Sequence, residues 1–131
     1  MFYKKNKYNL IKIAALLIHA AKIDENFSKE EEEIIKQALI KINGNNKNIQ
    51  NIITEGKTAE KNANQILNFT KEIKNMDEKN KIKIIETLWQ IIYSNKEADI
   101  YEENLMRRLA GLLYIDKKIM ADIKNKIKKE N

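Results

Sequence analysis

Two short polar segments hold the residues whose types and spacing bear on chemistry. In the first, Asp24 follows an apolar run, and Glu31 and Glu32 come shortly after it. In the second, Asn95, Asp99 and Glu102 stand in a matching order. Carboxylate and amide oxygens suit hard cations such as Ca²⁺ or Mg²⁺. If each segment joins two helices in a hairpin, these oxygens are expected to converge on a weakly held divalent cation. The candidate metal ligands are therefore Asp24, Glu31, Glu32, Asn95, Asp99 and Glu102. Neither segment has the D-x-[DN]-x-[DN]-G-x₅-E order of a calcium loop. A purely structural account competes with this one. Ser28 and Glu31 form an S-x-x-E capping box, Asp99 and Glu102 a second, and both glutamates then sit at the positive end of a helix.

Other chemistry has little to stand on. The chain has no cysteine, which excludes disulfides, thiolate nucleophiles and cysteine-bound zinc or iron–sulfur clusters. His19 is the sole histidine and lies in an apolar stretch, where a packing role is expected and no triad can be assembled from sequence neighbours. No catalytic residue and no organic cofactor are expected.

The elements that position the two segments read as helices throughout. From Leu10 to Ile23 only Lys12, His19 and Lys22 are not apolar, so this helix must run through an interior. Residues 1–6 are expected to be frayed, with the first helix over Lys7 to Ile23. The second is predicted from Lys29 to Ile42, stopped by Gly44. A short third is predicted from Asn46 to Glu55, broken by Gly56, and a fourth from Thr58 through Ile73. Asp77 caps a fifth over Glu78 to Tyr93, with Trp89 and Tyr93 in the core. The sixth, Ile100 to Tyr114, is expected to turn Tyr101, Leu105, Leu109, Leu112 and Leu113 inward, with Gly111 at a close helix crossing. Asp116 caps a lysine-rich seventh, whose apolar stripe is expected to dock on the domain. No run alternates with period two, so no sheet is predicted. At 131 residues the chain reads as one all-α domain of about seven helices.

The second segment repeats the first 71 positions on. Asp24, Ser28 and Glu31 fall on Asn95, Asp99 and Glu102, and Leu17 falls on Leu88. Two helix-loop-helix units about a pseudo-twofold axis are the expected arrangement. In AAKIDENFSKEEEEI and YSNKEADIYEENLMRRLAGLL, spanning roughly Leu10 to Ile119 with what surrounds them, the chain resembles the TerB-like family, the tellurite-resistance protein B group. That family's motif is an apolar helix, Ala-Asp-Gly, a small polar or acidic residue, and a Glu opening the next helix. Here Glu25 and Lys96 replace the glycines and Asn95 the second Asp. The resemblance implies a stress-response role, through protein assemblies at or near a membrane.

The formal net charge is +6, yet of 25 basic residues only Arg107 and Arg108 are arginine. Arginine is the side chain favoured for bidentate phosphate and base contacts, so nucleic-acid binding is not expected. The lysines before IAALLIHAA suggest a signal peptide, but no A-x-A site follows and the run is shorter than the ~20 residues of a membrane span. A cytoplasmic protein, peripheral to the inner membrane at most, is the expectation. The leading functional reading is a non-catalytic interaction or sensor module with protein partners. A metal-dependent small hydrolase and a membrane-surface adaptor are the alternatives.

Overall fold

The computed structural model describes residues 2–23, 27–94 and 98–130, with side chains from residue 9 onward. These residues form seven helices and no strand: α1 Phe2–Lys22, α2 Lys29–Asn43, α3 Ile49–Asn62, α4 Leu67–Ile73, α5 Glu78–Tyr93, α6 Ile100–Leu112 and α7 Lys117–Glu130. The all-α expectation holds. α1 is the axle. Every side chain from Ile13 to Ile18 is buried, and the helix packs on α2, α3, α4 and α5. Burying a Leu or Ile side chain contributes about 1.5–3 kcal/mol, so this uninterrupted run is a principal source of stability. α5 is the second core helix, with Ile84, Ile85, Leu88, Ile91 and Ile92 buried against α1, α2 and α7.

The helix ends follow their local chemistry. Gly44 closes α2 in the left-handed conformation at φ 85° and donates its N–H to the Ile40 carbonyl. Asp77 accepts from the Asn80 N–H at 2.9 Å to start α5, and Asp116 accepts from the Lys118 N–H at 2.9 Å ahead of α7. The α7 stripe Met120, Ile123 and Ile127 is buried and docks on α5, as expected.

Four expectations need correction. α1 begins at Phe2, five residues before the expected Lys7, because nothing among these residues breaks a helix. α3 runs from Ile49 to Asn62, through Gly56, so Thr58 starts no helix and α4 is confined to Leu67–Ile73. Packing overrides the ~1 kcal/mol propensity cost of glycine here. A Cβ on Gly56 would lie 2.7 Å from the Ala14 Cβ, so only glycine admits this approach of α3 to α1. Gly111 is the opposite case, since a Cβ there meets nothing within 4 Å; the close crossing expected at Gly111 is at Gly56. Finally, Tyr101 is 73% exposed, because the inward stripe of α6 is Glu102, Met106, Leu109 and Leu113 at helical spacing.

One buried polar residue had no sequence signal. Lys81 of α5 donates from Nζ to the Leu113 carbonyl at 3.0 Å and the Lys74 carbonyl at 3.3 Å. It thereby ties the C-terminal ends of α4 and α6 to the core, where a cation also suits the helix dipoles.

Candidate functional site

Both capping boxes form. At the start of α2 the Ser28 Oγ accepts from the Glu31 N–H at 3.1 Å, and the Glu31 Oε1 accepts from the Ser28 N–H at 2.8 Å. At the start of α6 the Asp99 Oδ1 accepts from the Glu102 N–H at 2.8 Å, and the Glu102 Oε1 accepts from the Asp99 N–H at 3.1 Å. Ser28 and Asp99 both have the extended backbone that a cap needs. Glu31 is 2% exposed and Glu102 5%. A buried carboxylate is costly unless hydrogen-bonded, and these two are bonded at the helix end where negative charge is favoured. One oxygen of each is thus committed to the backbone, and a cation held by Glu31 or Glu102 would share that carboxylate with the cap.

The remaining candidate ligands are placed differently. Asp24 and Asn95 lie outside the described residues, as do Glu25 and Lys96. Glu32 turns towards α3, where its Oε1 meets the Lys57 Nζ at 2.6 Å. Lys57 also sits 5.7 Å from the Phe27 ring centroid, a cation–π arrangement that seats the pair beside the first loop. Glu31 and Glu32 are therefore drawn to different partners. Among the described residues no three His, Cys, Asp or Glu side chains group to hold a metal.

His19 has a partner that sequence reasoning missed. Its Nδ1 lies 3.2 Å from the Glu60 Oε2, and Lys22 donates to the Glu60 Oε1 at 2.7 Å. The three side chains fasten the end of α1 to α3. Burial alone would raise the Glu60 carboxyl, but the hydrogen bonds from Lys22 and His19 outweigh it and hold Glu60 below the ordinary glutamate value. No sequence proximity announces this pair, and placing Glu60 in a separate fourth helix hid it. Glu103 accepts from the Lys124 Nζ of α7 at 2.8 Å, and Arg107 donates to the Asn104 Oδ1 at 3.2 Å.

A buried axial helix, two loops each closed by a capping box with a buried glutamate, and no strand among the described residues define an all-α helix-loop-helix domain. The pattern of the family described as Tellurite resistance protein TerB matches residues 10–125, and the chain belongs to that family. No curated protein and no solved structure matches the chain. No helix among the described residues is long and apolar enough to cross a membrane.

Proposed function

We propose that this TerB-family chain is a non-catalytic interaction or sensor module of a stress response, and that it engages a protein partner beside the second loop. The observation that carries this reading is the start of α6. Directly after the cap Asp99, Ile100 is 69% and Tyr101 73% exposed. Two large apolar side chains in water beside a rigid helix end gain from being covered, and tyrosine is enriched at protein interfaces. The capping box supports the same reading, because it fixes the angle at which these side chains are offered. Photo-crosslinking from position 101 in the native cell under tellurite stress tests it. One reproducible protein partner, lost on Ile100→Ser while the fold is retained, is the expected result. Labelling that is unchanged by Ile100→Ser would overturn the reading.

A divalent cation belongs to the proposal as a weak modulator of the loops. The first loop offers Asp24 and Glu31, whereas the second has Asn95, which brings a carbonyl oxygen without charge. Glu25 and Lys96 stand where the family has glycines, so a left-handed backbone there costs more. Calorimetric titration with Ca²⁺ and Mg²⁺ should show weak binding that Asp24→Ala removes and Asn95→Asp strengthens. Tight binding that survives Asp24→Ala would exclude this role for the first loop.

A further inference from the structure

The face between α6 and α7 holds a concavity of about 470 Å³. That falls within the roughly 300–1,000 Å³ of small-molecule sites. Trp89, Ala110 and Ala121 are among the side chains that line it. The indole is 4% exposed, and Tyr93 stacks on it with 5.7 Å between ring centroids.

The charge around the groove is one-sided. Among the described residues Arg107, Lys117 and Lys124 line it against a single carboxylate, Glu103. Glu103 is spent on Lys124, whose Nζ also stands 5.4 Å from the Trp89 ring centroid. Arg107 gives one N–H to Asn104, which leaves further donors of its fork without a hydrogen bond among the described residues. The groove therefore presents a largely apolar lining with Arg107 and Lys117 beside the Glu103–Lys124 pair. An apolar lining with cations at its side matches a short anionic amphiphile in both size and charge. We infer that the groove between α6 and α7 binds a small anionic amphiphile, a monocarboxylate whose apolar body lies along the lining that includes Trp89, Ala110 and Ala121 and whose carboxylate meets Arg107 and Lys117.

Trp89 is the sole tryptophan, so its fluorescence reports on the site directly. The test is titration of the full chain with monomeric decanoate, followed by Trp89 emission and by calorimetry. Saturable one-to-one binding is expected, weaker by about tenfold or more for the neutral alcohol decanol, which lacks the charge-assisted contacts. Arg107→Gln and Lys117→Gln, both at exposed positions, should weaken decanoate by a similar factor and leave decanol unchanged. Absence of saturable binding, or equal affinity for decanoate and decanol, would overturn the assignment. So would an emission change with anionic vesicles but not monomeric decanoate, which would make the groove a membrane contact. An emission change on raising protein concentration alone would give it to a second copy of the chain.

Discussion

The two capped units begin alike and end differently. α2 and α6 both open on a reciprocal capping box with a buried glutamate. α2 then closes on Gly44 at φ 85°, whereas the chain leaves α6 through Tyr114 at φ 58°, a side chain in a conformation suited to glycine. α3 approaches α1 so closely that a Cβ at Gly56 has no room, whereas α6 and α7 leave a groove over Trp89. The lesson is that a short local motif fixes how a helix starts, while what the helix does is set by packing further along. The first unit has the tighter crossing and reads as scaffold. The second offers exposed apolar side chains and a strained helix end, and reads as the working face.

The largest effect expected from this contrast is at the sealed crossing. Gly56→Leu forces a side chain into the α1–α3 contact and should cost about 3 kcal/mol, the upper end for overpacking a core. Denaturant unfolding measures it. A midpoint equal to that of the natural chain would mean that α1 and α3 stand further apart than described.

Next come the two caps. Ser28→Ala and Asp99→Ala should each cost about 0.5–2 kcal/mol, because each leaves a helix-end N–H without its acceptor. The geometry of the boxes is equivalent, so the two losses should be comparable in a midpoint measurement. If one substitution were silent, the likeness of the two units would stop at appearance.

A gain is expected at the end of α6. The Ile115 N–H bonds the Ala110 carbonyl at 2.9 Å, a 6→1 closure that holds Tyr114 in the left-handed region. A non-glycine residue there costs roughly 1–2 kcal/mol, and the Tyr114 side chain is 70% exposed and gives little packing in return. Tyr114→Gly should therefore raise stability by about 1 kcal/mol, after the entropy glycine adds to the unfolded chain. A loss of stability would show that Tyr114 makes contacts that outweigh its strain.

What the sequence made legible was whatever depends on near neighbours in the chain. Ser28 with Glu31 and Asp99 with Glu102 were readable because a capping box needs residues three apart, and the buried helix was readable because Ile13 to Ile18 carry no charge. Features made by distant residues were not. Gly56 looks like a helix breaker until Ala14 is beside it, and Gly111 looks like a crossing until nothing is found there. Glu60 reaches His19 across 41 residues, and Lys124 reaches Glu103 across 21. Tyr101 was misplaced because a glutamate occupies the inward position next to it. The loop residues Asp24 and Asn95, on which the cation depends most, lie outside the described residues.

The smallest effect separates the units by acid. Glu60 in the first unit and Glu103 in the second are both held below the ordinary carboxyl value of 4.5. For Glu60, burial opposes the shift and the bonds from Lys22 and His19 overcome it; for Glu103, the Lys124 hydrogen bond leads. A carboxyl whose value is lower folded than unfolded adds stability that is present above the unfolded value and is lost as pH falls through the folded one. Both contributions should thus be in place above pH 4.5 and fade below it. They should not be equal. The Glu60 side chain is 11% exposed and bridges two helices through two partners, whereas Glu103 is 39% exposed and water screens its single pair. Glu60→Gln should therefore flatten the acid limb of stability more than Glu103→Gln does, with thermal unfolding followed from pH 6 down to pH 3. Equal flattening would place both carboxylates in the same solvent-screened setting and remove this contrast between the two units.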